Sequence, residues 1–215
     1  KRFYERAVAK INRLDPRPDV VVNTGDLVDN CNHGGQWEDY RAVTDTINAP
    51  VYEALGNHDC TKDTTGRYQN YLSKPDYLVV QISGVDLIIL NSQYLKDESS
   101  DTPAAREQRS FVEDALGNSP GERRRILVMH HPLYFNHPEE EETYFCLPVR
   151  ERKWVLGLLS RYHVCAVLSG HYHRNHISRI GSTELITTGP VSVAMGCDSD
   201  GSTAQRGFRV VDVDV

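Results

Sequence analysis

The sequence predicts an α/β fold, and three features of the chain carry that prediction. Four runs of apolar, mostly β-branched residues have the length and continuity of strands buried on both faces; they lie at 20–22, 51–55, 126–129 and 164–168. A segment with apolar residues at helical spacing separates the first two runs, and this strand–helix–strand order requires parallel strands with a right-handed crossover. The pair Ser83-Gly84 between two further apolar runs predicts a β-hairpin.

The first half of the chain supplies the strand–helix–strand unit. An amphipathic helix is expected over about 1–14, where apolar residues recur at helical spacing until a proline ends the pattern. A strand over 20–24, a helix over about 36–47 and a strand over 51–55 follow. Because the two strands are joined through a helix, we expect them to run parallel in one sheet.

The second half combines the hairpin with further strands and helices. The predicted elements, in chain order, are strands at 77–82 and 85–90, a helix at 104–116, a strand at 126–129, a helix at 149–162 and short antiparallel strands at about 177–187 and 207–213. The basic run 123–125 is predicted to be a solvated loop, and residues 136–148 an irregular acidic segment. No repeat or linker divides the chain, so we expect one domain over 1–215.

Composition argues against several classes of protein. The net charge is -6 and the pI about 5.8, which indicates no basic face for nucleic acid. No stretch approaches the roughly 18 apolar residues that cross a membrane. The five cysteines are scattered without a CxxC pair, which favours a reducing compartment, and we therefore expect a cytoplasmic protein. The chain opens inside a helical pattern with no capping residue, so we expect a truncated N-terminus.

Each of the four strand runs stops at a short cluster of polar residues. The clusters contain Asp26, Asn57-His58-Asp59, His130-His131, and His171 with His173. Because α/β proteins place their sites beyond the carboxyl ends of parallel strands, we expect these clusters to meet at one edge of a sheet. Oxygen and imidazole ligands that converge there indicate a hydrolytic metal centre.

Each cluster also has an ordinary structural interpretation when it is taken alone. Asp26 can be a turn or helix-capping residue, and residues 57–59 can form a loop turn. His130 and His131 can be strand-end residues, and an isolated His-x-His pair is more often incidental than functional. The four clusters together, each in the same place relative to a strand, favour the metal site. The motifs of two other metallohydrolase types, His-x-His-x-Asp-His and His-Glu-x-x-His, are absent.

The order Gly-Asp-x-x-Asp, Gly-Asn-His-Asp, His-x-Pro and Gly-His-x-His resembles the calcineurin-like metallophosphoesterase superfamily, from about residue 20 to 195. The segments 91–93, 144–145 and 169–175 are similar to the branch named for calcineurin-like phosphoesterase domain-containing protein 1. The resemblance implies a four-layer αββα sandwich, in which two mixed β-sheets face each other between outer helices.

The resemblance also implies a ligand set for two metal ions. Asp26 would bridge both ions, and His173 would belong to the first ion. Asn57, His130 and His171 would complete the second. The ions would be divalent or trivalent, because Mn, Fe, Zn and Mg suit oxygen and imidazole ligands. The family's Asp-x-His motif, which supplies further ligands of the first ion, does not precede Asp26, and we expect that the N-terminal strand carrying it is missing.

The catalytic roles follow from the same resemblance. His58 would lie beside the substrate phosphate as an acid or transition-state stabiliser, with Asp59 orienting its ring. Asp29 would support the turn, and His131 would lie behind the ligands or face solvent. The implied reaction is hydrolysis of a phosphomonoester by a hydroxide that bridges the ions. The partner would be a phosphorylated small molecule or a phosphoprotein.

Two alternative functions and several loop residues stay open at this point. The chain can be a phosphodiesterase acting on a nucleotide or lipid head group, or a binding scaffold without turnover, like the retromer subunit of this superfamily. The acidic run 139–142 is interpreted as a solvated face, with a cationic peptide partner as the alternative. Tyr144, Arg150 and Arg174 are candidate phosphate contacts that the sequence does not distinguish from ordinary surface residues.

Overall fold

The computed structural model describes residues 1–59, 72, 74–96, 101–197 and 205–215, and they form two sheets flanked by helices. The helices are α1 (Arg2–Ile11), α2 (Gly34–Thr44), α3 (Pro103–Asn118) and α4 (Val149–Arg161), and a 3₁₀ turn covers Ser92–Leu95. The strands are β1 (Val21–Asn23), β2 (Val51–Glu53), β3 (Leu78–Ile82), β4 (Val85–Ile89), β5 (Arg124–Val128), β6 (Val164–Ser169), β7 (His176–Ile180) and β8 (Thr183–Thr187). The predicted fold class is confirmed.

The two sheets differ in size and in strand direction. The smaller sheet pairs β1 with β2 in parallel, as the strand–helix–strand order predicted. The larger sheet has the order β3-β4-β5-β6-β8-β7, with β4, β5, β6 and β8 parallel and an antiparallel strand at each edge. The predicted hairpin joins β3 to β4, and both turn residues, Ser83 and Gly84, have positive φ angles. Four parallel strands therefore end at one edge of the larger sheet.

Side chains alternate between the two faces of the larger sheet, and each face packs against a different layer. Ile88, Leu127 and Val167 point toward α3 and α4 and lie in one apolar cluster with residues of those helices. Their strand neighbours Leu87 and Ile126 point the other way and pack against the smaller sheet. On the far side of that sheet, α1 and α2 bury a third cluster, which is centred on a fully buried tryptophan. The layer order is thus helices, small sheet, large sheet, helices.

The structure corrects two expectations about local structure. The basic run is not a solvated loop, because Arg124 and Arg125 open β5 and Arg123 forms an ion pair with the buried Asp86. Residues 205–215 contain no strand. Val213 nevertheless packs against the core between the sheets, so the alternating apolar pattern there reflects burial without a strand ladder.

The helices of the described residues are too short and too polar to cross a membrane. The longest of them, α3, has 16 residues and its buried side chains line one face only, against the larger sheet. This agrees with the sequence, which contains no long apolar stretch.

Candidate metal centre

The strand ladders continue past the strand ends and bring the polar clusters together. Gly170 N donates to His130 O at 3.0 Å, which joins the loop after β6 to the loop after β5. Ala54 N donates to Asn23 O at 2.9 Å, which joins the loops after β2 and β1. The predicted convergence at the carboxyl ends of parallel strands is therefore present within each sheet.

Two glycines let the loops of the two sheets approach each other. A Cβ atom added to Gly25 would lie 2.6 Å from Gly56 N and 2.6 Å from His130 Nδ1. A Cβ added to Gly56 would lie 2.2 Å from Asp26 Oδ1. Gly25 and Asp26 both have positive φ angles, 97° and 55°, so the loop after β1 turns sharply and directs the Asp26 carboxylate toward the larger sheet.

His130 lies at the centre of the cluster, and its hydrogen bonds fix which nitrogen faces the other ligands. Its Nδ1 lies 2.7 Å from Thr24 O, and because a carbonyl only accepts, Nδ1 carries the hydrogen. In the neutral ring this leaves a lone pair on Nε2. Nε2 lies 3.1 Å from Asn57 Oδ1, 3.0 Å from His171 Nδ1 and 3.4 Å from Asp26 Oδ2. Four predicted ligand residues are thus brought together.

These separations fit a bound metal ion. Ligand atoms at about 2.1 Å from a common ion and at right angles to one another lie about 3.0 Å apart. The three measured distances from His130 Nε2 fall at or slightly above that value. A carboxylate, an amide oxygen and two imidazoles form a mixed oxygen and nitrogen set of the kind that suits Zn, Mn or Fe. The atoms around His130 Nε2 are therefore spaced as the ligands of a metal ion would be.

The electrostatics keep two of these ligands in the forms that bind metals. Burial would raise the pKa of Asp26, but interactions with His130 and a hydrogen bond from His58 N outweigh it and lower the pKa to about 2. The pKa of His171 is lowered to about 3, mainly because the ring is buried and secondly because His130 lies beside it. At neutral pH the site therefore presents an ionised carboxylate and a neutral imidazole, as coordination requires.

His173 is the fifth predicted ligand, on the same loop as His171. His171 and His173 both have left-handed backbone conformations, with φ angles of 62° and 58°, so the loop turns twice within three residues. His173 Nδ1 is buried and has no hydrogen-bond partner among the described residues. Its binding to a first ion stays a prediction, and a buried nitrogen without a partner among the described residues is compatible with it.

His131 is buried and does not face solvent. We expected it to lie behind the ligands or to face solvent, and it is only 2% exposed. Its main-chain N–H donates to Ser92 Oγ at 3.1 Å, and the same hydroxyl lies 2.8 Å from its Nδ1. Its potential ligand atom lies within 4.8 Å of those of His130 and His171. The parallel pairing of β4 with β5 is the signal that places Ser92 beside His131.

The side chains of His58 and Asp59 both bond to main-chain groups. His58 Nδ1 donates to the Asp29 main-chain carbonyl at 2.8 Å, and this bond is the main reason why the pKa of His58 is raised. Asp59 is wholly buried, and its carboxylate accepts from Gly56 N at 2.8 Å and Val28 N at 3.1 Å. The expectation that Asp59 orients the His58 ring is therefore wrong. Asp59 instead ties together the two loops that carry Asp26 and Asn57.

The acidic segment is built into the structure. Glu140 accepts from Phe135 N and Asn136 N, both at 2.8 Å, and Glu142 accepts from Val149 N at the start of α4. These two glutamates therefore hold the segment in shape, and the interpretation of the run as a merely solvated face is wrong for them. Of the candidate phosphate contacts, only Tyr144 forms a hydrogen bond with a predicted ligand residue, to Asn57 Nδ2 at 3.2 Å.

The other two candidates have partners of their own. Arg150 forms an exposed ion pair with Asp101. Arg174 lies over the Tyr172 ring, with 5.1 Å between its guanidinium carbon and the ring centroid, and donates to Met195 O at 3.0 Å. Neither contacts the gathered ligands.

Comparisons with known proteins agree with this geometry. A family model described as calcineurin-like phosphoesterase matches residues 2–175. The serine/threonine-protein phosphatase CPPED1 of Bos taurus is 33% identical, over 98% of this chain and 69% of the relative. The probable glycerophosphodiester phosphodiesterase GpdQ of Arcobacter nitrofigilis is 28% identical, over 81% of this chain and 63% of the relative.

A solved structure supports the fold. A dimetal phosphatase from Danio rerio superposes with a TM-score of 0.66 at 15% identity, over 88% of this chain and 77% of that chain. The resemblance inferred from the motifs is confirmed, including the branch, because the phosphatase relative belongs to it. The chain belongs to the calcineurin-like phosphoesterase family.

Proposed function

We propose that the chain hydrolyses phosphomonoesters at a dinuclear metal centre, with phosphoproteins as the favoured substrate class. The observation that carries this proposal is that ligand atoms of Asp26, Asn57 and His171 lie 3.0–3.4 Å from His130 Nε2. His58 lies on the same loop as Asn57. A relative that is named a serine/threonine-protein phosphatase supports the choice of substrate class.

In this proposal the gathered residues bind the ions, and His58 transfers a proton. When bound, the ions would neutralise phosphate charge and supply a nucleophile at neutral pH. His58 Nδ1 is engaged with the Asp29 carbonyl, so the second hydrogen of a protonated ring sits on Nε2. The side chain is 42% exposed, and its raised pKa increases the protonated fraction near neutral pH. His58 can therefore pass a proton from Nε2 to the leaving oxygen of the ester.

Phosphodiester hydrolysis is the second candidate, because a relative with 28% identity is named a probable glycerophosphodiester phosphodiesterase. The same residues could hold the ions for either reaction, since in both the ions would neutralise charge on the phosphate oxygens. The substrates differ in the number of ester groups that the pocket must admit. A comparison of a monoester with a matched diester therefore separates the two functions.

The test uses the chain loaded with Mn²⁺ and measures turnover of p-nitrophenyl phosphate against bis-p-nitrophenyl phosphate. We expect the higher kcat/KM for the monoester, and release of phosphate from phosphoserine or phosphothreonine peptides. A higher kcat/KM for the diester would replace the proposal by the phosphodiesterase function. Tight Mn²⁺ binding without turnover of either ester would instead indicate a binding scaffold.

A further inference from the structure

We propose that the Tyr144 hydroxyl is a phosphate-binding group of this site, which links Asn57 to the substrate. The hydroxyl oxygen accepts from the Asn57 amide, and the hydroxyl hydrogen is donated to a phosphate oxygen. This inference rests on the proposed function, because it concerns the phosphate that the metal centre would bind. Tyr144 lies in a segment without regular secondary structure, and the evidence comes from its hydrogen bond and its ring contacts.

The direction of the hydrogen bond between Tyr144 and Asn57 is fixed by the groups involved. Asn57 Nδ2 is 3.2 Å from the Tyr144 hydroxyl oxygen, and an amide nitrogen can only donate. The phenol hydrogen is therefore left for another acceptor, and the described residues offer none to it. Tyr144 is 65% exposed, so this hydrogen lies at the mouth of the site, where a substrate can reach it.

The two atoms of the Asn57 amide face different partners. Asn57 Oδ1 lies 3.1 Å from His130 Nε2, while Nδ2 is directed at Tyr144. An amide that rotated by 180° would place two hydrogens at the metal position and an oxygen against the phenol. The hydroxyl could bond to either amide atom, but a cation on the other side would favour the oxygen there and so leave Nδ2 for Tyr144. Asn57 and Tyr144 thus form one hydrogen-bonded pair, in which the Asn57 oxygen faces the ion position and the Tyr144 hydroxyl hydrogen is available to the phosphate.

The Tyr144 ring covers one of the ligands. Its centroid lies 4.9 Å from that of His171 and 5.4 Å from that of Phe145. The Phe145 ring in turn lies 5.7 Å from His171 and 5.4 Å from Tyr172. These aromatic contacts hold residues 144–145 against the loop after β6, so the hydroxyl occupies a defined position between a ligand and solvent.

Two cationic side chains anchor the chain on either side of Tyr144. Lys96 Nζ donates to Tyr144 O at 3.2 Å and to Cys146 O at 2.7 Å. Arg152 is fully buried, and its guanidinium donates to Leu147 O at 2.6 Å and to Glu140 O at 2.7 Å. Burying the arginine costs free energy of desolvation, and its hydrogen bonds to main-chain carbonyls hold the segment in place. Such preorganisation is what a substrate-binding group requires.

The chemistry of the phenol matches a phosphate ester. A neutral hydroxyl donates to a phosphate oxygen without adding charge to a centre that already holds cations, and such a charge-assisted bond is stronger than a bond between neutral groups. The donor would contact the phosphate in both monoester and diester substrates. It would therefore affect phosphate affinity more than the choice between them.

The experiment compares Tyr144→Phe with Tyr4→Phe, which removes a hydroxyl that contacts Thr44 on the opposite side of the smaller sheet. Both variants and the parent chain are loaded with Mn²⁺, and inorganic phosphate is the probe. Two quantities are measured: the rise in melting temperature with increasing phosphate, and the inhibition constant of phosphate where there is turnover. We expect Tyr144→Phe to weaken phosphate binding by about tenfold and Tyr4→Phe to leave it unchanged.

The inference is overturned if Tyr144→Phe binds phosphate as tightly as the parent chain, if Tyr4→Phe loses as much affinity, or if the Mn²⁺-loaded parent binds no phosphate. The melting-temperature measurement needs no turnover. An absence of hydrolysis in the parent would therefore contradict the proposed function while the comparison of the two variants still decides the role of Tyr144.

Discussion

Buried polar groups have different partners at the two ends of the parallel strands of the larger sheet, which are called here the amino-end edge and the carboxyl-end edge. At the amino ends of β4 and β5, the Asp86 carboxylate is 2% exposed and is paired with Arg123 Nε at 2.5 Å and Ser119 Oγ at 2.6 Å. At the carboxyl ends, His130 and the ligands around it bring acceptor atoms together. Among the described residues, no lysine or arginine side chain hydrogen-bonds to these ligands.

The difference separates stability from ion binding. A carboxylate that is paired inside the protein contributes to folding without any ligand, whereas acceptor atoms that face one another are stabilised by an added cation. Substitutions at the amino-end edge should therefore change the free energy of unfolding, and substitutions at the carboxyl-end edge should change ion affinity and turnover. Each prediction below tests one side of that comparison.

Asp26→Asn should give the largest effect, on Mn²⁺ affinity. The substitution removes the only carboxylate among the four gathered residues but keeps an oxygen that can accept from His58 N. We expect the dissociation constant of Mn²⁺ to rise by more than about 100-fold, because loss of a ligand exceeds the cost of losing an outer partner. Because the lowered pKa of Asp26 means that its carboxylate also stabilises the fold at neutral pH, the metal-free chain should lose up to about 2 kcal/mol of unfolding free energy. Calorimetric titration and urea unfolding measure the two quantities, and unchanged Mn²⁺ affinity would contradict the account.

Arg123→Ala should lower stability and leave the ion site intact. It leaves the buried Asp86 carboxylate without its cation, which costs about 3 kcal/mol of unfolding free energy. Arg124→Ala is the matched control from the same basic run, because the Arg124 side chain is exposed and its one hydrogen bond among the described residues is to Asp214 O. We expect the control to cost under about 1 kcal/mol. Equal losses in the two variants, or a loss of Mn²⁺ affinity in the folded Arg123→Ala chain, would show that the edges are not independent.

His58→Asn should lower turnover while Mn²⁺ content is kept. Loss of the proton donor is expected to lower kcat by about 100-fold. His163→Asn is the control, since His163 lies before β6 at the other edge of the larger sheet, and asparagine tolerates its φ of 52°. Steady-state kinetics and metal analysis are made on both variants. Normal turnover in His58→Asn would exclude the proposed acid role.

The smallest predicted effect is a pH dependence at the amino-end edge. Burial alone would raise the pKa of Asp86, but hydrogen bonds from Ser119 and Arg123 outweigh it, so the pKa lies below its ordinary value of 3.8. A group with a lowered pKa stabilises the fold above its unfolded pKa and loses that contribution as the pH falls through its folded pKa. The stability difference between the parent chain and Arg123→Ala should therefore shrink from pH 6 to pH 3. Urea unfolding at these pH values checks the trend, and a constant difference would contradict it.

Much of the fold and the ligand cluster could be predicted from the sequence because both follow from simple placement rules. Buried apolar runs gave the parallel strands, and the rule that sites lie beyond their carboxyl ends brought Asp26, Asn57, His130 and His171 together. These rules need no knowledge of side-chain contacts. They predict which residues meet and not which atoms bond.

The contacts that were missed depend on main-chain groups far apart in the sequence. His130 is oriented by Thr24 O, and His58 by Asp29 O, and no side-chain pattern encodes a carbonyl acceptor. Adjacency in the sequence pointed to Asp59 for the latter role, but full burial directs that carboxylate to main-chain N–H groups instead. Tyr144 lies in a segment without periodicity, where contacts with Lys96 set its position.

The most direct test of the central claim is the anomalous scattering of a crystal of the chain grown with Mn²⁺. The account predicts a peak within about 2.3 Å of His130 Nε2, Asn57 Oδ1 and His171 Nδ1, with the Asp26 carboxylate as a further ligand. A peak bound by other residues, or no peak near His130 at saturating Mn²⁺, would contradict it.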